Sequence, residues 1–191
     1  VTVSTPDHTH AVAAMAAMQL GKHVYVQKPL THSIGEARAL TETAAKYKVV
    51  TQMGNQGHTF EGMRRIKEWV DAGVVGDVSE VITWTNRPND PWFVPPESFP
   101  PPTAPVPAAL DWDLWQGPRA ERPFQFNIAP YKFRWWSDYS TQMGNWGVHY
   151  MDVIRWLMGE GAPSAVTAHG SRKFIDDDAN IPDTMEVLFE F

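Results

Sequence analysis

Lys28 combines a reactive side chain with a position at which ligands commonly bind. It lies in the segment 21–30, GKHVYVQKPL, where a glycine suited to ending a helix precedes the β-branched and aromatic residues His23–Val26. Pro29 has no N–H group and cannot continue a central strand, so the predicted strand ends near Lys28. Because open α/β sheets bind ligands outside the carboxyl ends of their strands, Lys28 is a candidate site residue. The alternative is a solvated surface lysine.

A second group of candidate residues lies in the segment 144–152, which reads GNWGVHYMD. Asn145 and His149 are four residues apart, so a helix would place both on one face. Asp152 follows three residues later and can orient His149 or cap nearby groups. Histidine is the side chain best suited to proton transfer near neutral pH, which makes His149 a candidate base. The alternative is a core histidine whose hydrogen bonds are satisfied.

Two further segments resemble ligand-binding loops. The segment 4–10, STPDHTH, connects a strand tip to a helix N-terminus, where unpaired N–H groups favour an anionic or polar ligand. The segment 54–58, GNQGH, also follows a strand, and its two glycines allow close approach of the backbone to a ligand. The alternatives are a capped helix with surface histidines and a simple connection, and the histidines of the first segment are only weak evidence for metal.

Aromatic and polar residues alternate in the segment 131–139, YKFRWWSDY. Aromatic faces stack on the C–H surfaces of sugars, and arginine and aspartate side chains bind hydroxyl groups. The segment 84–87 ends a predicted strand and is expected to point toward the same place. A packed hydrophobic loop is the alternative interpretation.

The elements that must position these residues follow an alternating pattern in the first 75 residues. Strands are predicted near 1–6, 23–26 and 48–53, and helices over 8–20, 33–47 and from 59 or 61 to 72. Asp7 or a neighbour is predicted to cap the first helix, and Ser33 with Glu36 forms a capping-box pattern at the second. Strand–helix alternation predicts a parallel sheet with crossover helices.

The second half of the chain changes pattern. We predict a strand over 78–85, an irregular excursion over 88–107 with nine prolines, and a short helical turn at 111–115 that packs two tryptophans. A helix is predicted from Met143 to Met158, ended by Gly159, and strands over 165–174 and 185–191. The fold class is therefore α/β followed by α+β.

Composition excludes several classes of function. The net charge of −6 lacks the basic face that nucleic-acid binding normally requires. No apolar run approaches the roughly 18 residues of a membrane span. The absence of cysteine excludes disulfides, thiol catalysis and cysteine-ligated zinc, but leaves the compartment open between cytoplasm and periplasm.

The segment 21–30 resembles the signature Gly-Lys-His-Val…Glu-Lys-Pro-Leu of the Gfo/Idh/MocA family of NAD(P)-dependent sugar and polyol oxidoreductases, with Gln27 in place of the usual Glu. The resemblance extends along most of the chain and identifies the segment 1–6 with the fourth strand of a Rossmann domain. It implies a partial dinucleotide-binding domain over 1–76 and a partial substrate domain with a mostly antiparallel sheet over 77–191. No Gly-x-Gly-x-x-Gly fingerprint is present, so we expect the sequence to be a fragment.

The resemblance also implies roles for individual residues. His149 would be the catalytic base beside Lys28. Asn145 would take the place of an aspartate of the family and would orient these catalytic groups. NAD or NADP would bind next to residues of three loops: Thr5, Pro6, His10, Gln27, Lys28, Asn55 and Gln56. The substrate would contact residues of the second half: Arg134, Trp136, Asp138, Tyr139 and Asp152. No metal ligands are expected.

We therefore predict an enzyme that transfers hydride between NAD(P) and a secondary alcohol of a sugar, polyol or glycoside. One alternative is an NAD-dependent glycosidase of the same fold, acting by transient oxidation and elimination. Another is a non-catalytic sugar-binding or scaffold protein. The expected partners are a carbohydrate and further copies of the chain in a homodimer or homotetramer, formed through the C-terminal sheet, with neither nucleic acid nor membrane.

Overall fold

The first sheet of the protein contains three parallel strands. The computed structural model describes residues 1–86, 102–175 and 179–191. The strands are β1 (Thr2–Val3), β2 (Val24–Gln27) and β3 (Thr51–Gly54), in the order β1-β2-β3. All three run in the same direction, as the strand–helix alternation predicts. Their carboxyl ends, including the end of β2 next to Lys28, therefore lie at one edge.

Two helices provide the apolar cover of this sheet. Helix α1 spans His10–Gln19 after a 3₁₀ turn at Asp7–Thr9, and α2 spans Ile34–Tyr47. Small and unbranched residues of α1 are fully buried against the strands, and Leu40 of α2 joins the same core. The burial of this apolar surface is the main stabilising contribution in this half.

The starts of the two helices differ. At α2 the predicted capping box is confirmed: Ser33 accepts from the backbone N–H of Glu36, whose carboxylate accepts from that of Ser33. The predicted cap by Asp7 is wrong. Pro6 precedes the 3₁₀ turn without a side-chain cap, and Asp7 is buried at 4 % exposure, accepting a hydrogen bond from the Ser140 hydroxyl.

Helix α3 spans Glu61–Asp71 and is followed by Gly73 at a φ of 71°, as predicted. The predicted strand over 78–85 is wrong: these residues are irregular and exposed. A strand needs a neighbour for its backbone groups, and no strand of the described residues pairs with this segment. Most of the predicted proline-rich excursion lies outside the described residues, and 102–107 is irregular.

The second half has its own aromatic core. Helix α4 (Trp112–Gln116) is capped by Asp111, and the rings of Trp112 and Trp115 stack at 4.8 Å, which confirms the predicted turn. The cluster is completed by buried residues of the following loops: Phe124, Ile128, Phe133, Trp135, Trp136 and Tyr139.

The predicted helix over 143–158 forms with one modification. Its first turn, Met143–Gly147, is a π-helix, and α5 (Val148–Met158) continues from it to Gly159, which has a φ of 72°. Such π turns occur frequently at functional sites. The buried Asn145 lies within this turn, one helical turn before His149.

The second sheet is an antiparallel pair, β4 (Ala165–Ser171) and β5 (Thr184–Glu190). Strand β4 ends three residues before the predicted limit because the Asp183 carboxylate accepts hydrogen bonds from the backbone of the next turn, at residues 173–175. In the part of the chain that the structure describes, no helix is long and apolar enough to cross a bilayer.

Candidate active site

The side chain of Lys28 joins the two halves of the protein. It extends from the carboxyl end of β2, and its Nζ donates to the backbone oxygen of Asn145 at 2.8 Å and to the Oδ1 atom of the same residue at 2.9 Å. Asn145 is 117 residues away in sequence and belongs to the π turn that leads into α5. The structure thus brings together two of the three predicted catalytic residues.

Burial changes the acid–base behaviour of Lys28. It lowers the pKa of the ammonium group from 10.5 to about 8; the nearby Asp7 carboxylate opposes this change, and the Arg134 guanidinium adds to it. A lysine in this range can hold or release a proton close to neutral pH. Its charge can therefore stabilise a negative oxygen that develops beside it.

His149, the third predicted catalytic residue, is electrostatically coupled to Lys28. Burial lowers the pKa of the imidazole, the Lys28 ammonium lowers it further, and the Asp152 carboxylate acts in the opposite direction. The ring is therefore predominantly neutral at pH 7 and able to accept a proton.

Asp7 is a residue of this site that the sequence interpretation assigned to a helix cap. Its carboxylate is buried and accepts from Ser140, which connects the loop after β1 to the second half. It also acts electrostatically on the two cations Lys28 and Arg134. A buried carboxylate needs such compensation, which makes Asp7 the counter-charge of the site. The pattern of the sequence contains no signal that separates this role from capping.

The predicted cofactor residues Thr5, Pro6 and His10 belong to the loop after β1 and the start of α1, and His10 contacts the residue that follows Lys28. Both ring nitrogens of His10 are occupied, Nδ1 with the Pro29 carbonyl oxygen at 2.6 Å and Nε2 with that of Thr5 at 2.7 Å. His10 is 1 % exposed. Its ring therefore ties the loop after β1 to the loop after β2, and the more exposed Thr5 and Pro6 form the outer surface there.

The carboxyl ends of β2 and β3 provide polar groups that fit a dinucleotide. A Cβ atom on Gly54 would lie 2.8 Å from Oε1 of Gln27 and 3.0 Å from the hydroxyl of Tyr25, so glycine lets these two side-chain ends approach the end of β3. Asn55 follows, and both polar atoms of its side chain are buried with no hydrogen-bond partner in the described residues. Gln56 is exposed. Unsatisfied buried amides are uncommon, so Asn55 is available for a polar ligand group.

Gln142 is a second residue that sequence reasoning missed. It precedes the π turn of Asn145, and both atoms of its amide are buried without a partner among residues 1–86, 102–175 and 179–191. The Nδ2 atom of Asn145 is also buried without a hydrogen-bond partner among these residues. These groups are available donors and acceptors for a hydroxylated ligand.

The predicted substrate residues do not all lie at one surface. Arg134 is close enough to Lys28 to lower its pKa, whereas Asp138 is exposed. Trp136 and Tyr139 are buried in the aromatic core at 6 % and 0 % exposure, so they support the loop from within. Asp152 pairs with His58, as described below.

An open cavity of about 480 Å³ lies next to His149. It is lined by residues of two segments: Trp84, Thr85, Asn86, Trp146 and Tyr150. The ring of Trp146 lies 5.8 Å from that of His149. The cavity includes the described part of the predicted segment 84–87, whose last residue, Arg87, lies outside the described residues. The described chain holds no group of three or more residues suited to a metal ion.

Comparison with known proteins gives relatives of which this chain matches only a part. Levoglucosan dehydrogenase of Pseudarthrobacter phenanthrenivorans is 24 % identical over 165 residues, which cover 84 % of this chain and 33 % of that protein. The NAD⁺-dependent scyllo-inositol 2-dehydrogenase of Bacillus subtilis is 33 % identical over 76 residues, or 40 % of this chain and 22 % of that protein. The matched segments thus cover about a third or less of the length of these relatives.

Solved structures share the fold. Levoglucosan dehydrogenase in complex with NADH and levoglucosan has a TM-score of 0.65 at 20 % identity, over 100 % of this chain and 44 % of that one. The WlbA dehydrogenase of Chromobacterium violaceum, in complex with NADH and UDP-GlcNAcA, has a TM-score of 0.66 at 18 % identity, over 99 % of this chain and 44 % of that one. At these identities the likeness concerns architecture.

Two family sequence models match the chain in succession. One is described as "Oxidoreductase family, NAD-binding Rossmann fold" and matches residues 1–55. The other is described as "Oxidoreductase family, C-terminal alpha/beta domain" and matches residues 61–183, more than half of the chain. The chain therefore belongs to the Gfo/Idh/MocA family of oxidoreductases.

Proposed function

We propose that the intact protein transfers hydride between NAD(P) and a secondary alcohol of a sugar, a polyol or a glycoside. The observation that carries this proposal is the contact of Lys28 with Asn145. It places a lysine with a lowered pKa, at the carboxyl end of a Rossmann strand, beside the helix that bears His149. Such a site can hold an alcohol and remove its proton.

In this proposal His149 is the catalytic base and Lys28 stabilises the oxygen. During oxidation the neutral imidazole of His149 accepts the hydroxyl proton, and the Lys28 ammonium interacts with the negative charge that develops on the alcohol oxygen. Asn145 holds the ammonium through two oxygens and so orients it. An amide at this position leaves His149 without the field of the aspartate that is usual in the family, and this favours the neutral ring before proton transfer.

The nicotinamide cofactor would bind at the carboxyl ends of the parallel strands. The predicted residues Thr5, Pro6, Gln27, Lys28, Asn55 and Gln56 surround this edge, and His10 fixes two of its loops. The unsatisfied Asn55 amide is a group for it to engage. When bound, the cofactor supplies the hydride acceptor or donor, which no side chain of this chain can provide.

A cyclic carbohydrate fits the surroundings of His149. The cavity is lined by three aromatic residues and by the polar Thr85 and Asn86, a combination that suits a ring with an apolar face and hydroxyl edges. Arg134 near Lys28 and Gln142 near Asn145 add polar groups. The names of the relatives, levoglucosan and inositol dehydrogenases, suggest a starting panel.

The test is to express the intact gene product and measure NADH or NADPH formation with levoglucosan, inositols and aldoses. Accumulation of reduced cofactor with at least one of them is the expected result. Release of a free sugar from a glycoside without net reduced cofactor would identify the glycosidase alternative. Carbohydrate binding without turnover, unaffected by Lys28→Ala, would identify the scaffold alternative.

The proposed assembly is a homodimer or homotetramer through the sheet of β4 and β5. Val166 of β4 and Met185 of β5 lie on the same face of this sheet and are 53 % and 37 % exposed, so apolar surface is available there. Light scattering of the intact protein at micromolar concentration should show a dimer or a tetramer, and a monomer alone would contradict this assignment.

A further inference from the structure

His58 forms a contact with α5 that the proposed chemistry does not use. Its Nε2 atom lies 2.7 Å from Oδ2 of Asp152, and its ring stacks on Trp156 at 4.3 Å with an interplanar angle of 26°. Asp152 and Trp156 are one turn apart on α5, so His58 is fixed by two independent contacts on one helix face. The pair is half-buried, with side-chain exposures of 41 % for His58 and 24 % for Asp152.

The loop that carries His58 packs against α5 at Gly57, where even a Cβ atom would be within van der Waals contact of the helix. A Cβ atom there would lie 3.4 Å from Cγ2 of Val153. The loop backbone is held from the other side by Arg64 of α3, whose Nε donates to the His58 carbonyl oxygen. His58 therefore connects the loop after β3 to the helix of the candidate base.

Asp152 also lies one turn beyond His149, on which its carboxylate acts electrostatically. We propose that His58 is a positioning residue that binds the Asp152 carboxylate and so sets how strongly this carboxylate acts on His149. The catalytic meaning of this inference rests on the proposed function, because His149 is the base only there. The contacts of His58 with Asp152 and Trp156 are independent of that function.

The contact between His58 and Asp152 should limit how far Asp152 raises the pKa of His149. While His58 donates to Asp152, part of the carboxylate's charge is compensated, and its stabilisation of the His149 imidazolium is limited. Removal of the His58 donor frees that charge and makes His149 more basic. Two cations also lie near these residues. The Lys28 ammonium acts on His149, and the Arg64 side chain donates to the backbone carbonyl oxygen of His58.

The experiment is an NMR titration of the histidine side chains in the intact protein without substrate, with the His149 signal assigned by its loss in His149→Gln. His58→Phe keeps an aromatic ring for stacking on Trp156 but removes the donor. We expect it to raise the pKa of His149 by about half a pH unit, the scale of a partly exposed ion pair. Asp152→Asn should lower the same pKa.

The double variant decides whether His58 acts through Asp152. In the Asp152→Asn background, His58→Phe should leave the pKa of His149 unchanged. His58→Gln, whose amide donates but carries no charge, should restore most of the parent value. Glu61→Gln serves as the control, since it removes a charge that pairs with Arg65 within α3 and should have no effect.

Two results would overturn the proposal. One is a pKa of His149 that is unchanged in His58→Phe, and the other is a pKa shift of His149 that His58→Phe causes equally with and without Asp152. Because the titration needs no turnover, this failure is distinguishable from failure of the proposed oxidoreductase activity. If both inferences hold, the acidic limb of the pH dependence of kcat/KM moves to higher pH in His58→Phe by the same amount.

Discussion

Substitution of Lys28 by methionine should stabilise the protein while removing its activity. Methionine matches the length of the lysine stem and carries no charge. Burial and the Arg134 guanidinium lower the pKa of Lys28 from 10.5 to about 8, although Asp7 opposes them. At about 1.36 kcal/mol per pKa unit, the charged form costs about 3 kcal/mol of folding free energy at pH 7.

Removal of the charge in Lys28→Met increases stability, but the variant loses part of this increase. Two oxygens of the buried Asn145 lose their hydrogen-bond donor, at a cost of about 1–2 kcal/mol. The expected net increase in the free energy of unfolding of Lys28→Met is therefore about 1–2 kcal/mol at pH 7.

The pH dependence provides the sharper test. Between pH 8 and 10.5 the unfolded chain retains the Lys28 proton that the folded protein has lost, so the stability of the parent rises with pH relative to the variant. From pH 7 to pH 9 the advantage of Lys28→Met should shrink by about 1.3 kcal/mol.

Urea unfolding of the intact protein at both pH values, followed by tryptophan fluorescence, measures this difference. Lys22→Met, at an exposed position near the same strand, is the control and should change little at either pH. A variant that is less stable than the parent at pH 7, or an advantage that does not depend on pH, would refute the account of Lys28.

Further predictions concern the surroundings of the site. Gly54→Ala should lower the free energy of unfolding by only about 1 kcal/mol, because the atoms its Cβ would meet are the ends of the Gln27 and Tyr25 side chains, which can shift; Gly62→Ala, with open space around it on α3, should be neutral or stabilising in the same chemical denaturation assay. Asn145→Asp should move the acidic limb of the pH–rate profile upward by about one pH unit, because a carboxylate favours the His149 imidazolium; an unmoved limb would contradict the coupling. Burial raises the pKa of Asp183, but its bonds from three backbone N–H groups outweigh this and lower it to about 2. Because water screens this carboxylate, Asp183→Asn should cost only about 1 kcal/mol at pH 7, and in thermal melts it should remove the part of the loss of stability that Asp183 contributes as the pH falls from about 4 toward 2.

The sequence predicted most of the elements that surround the site because their signals are local. Glycine at helix ends, the capping box before α2 and the proline after Lys28 each act within a few residues. The parallel sheet follows from the order of these elements. The predicted strand over 78–85 is wrong because an alternating pattern shows only that the segment could form a strand. The strand itself forms only when a neighbouring strand supplies hydrogen bonds.

The contacts between distant residues were beyond a local interpretation. The pair Lys28 and Asn145 was expected only through the family resemblance, and no spacing in the sequence indicates their 2.8 Å contact. Asp7 had the pattern of a helix cap, because burial of a carboxylate depends on groups 133 residues away. Trp136 and Tyr139 had the composition of a sugar platform, but equal composition occurs in an aromatic core.

The most direct test of the proposed site is a single-turnover measurement of hydride transfer in the intact protein, with a substrate found in the panel and saturating NAD(P). At saturating cofactor, His149→Ala and Lys28→Ala should each slow NAD(P)H formation by roughly 10²–10⁴-fold, and His149→Ala should leave cofactor affinity within a few fold of the parent. Lys28→Arg should not restore the rate, because a planar guanidinium does not replace a compact ammonium. Near-normal hydride transfer in both alanine variants would contradict the assignment of these residues as the catalytic pair.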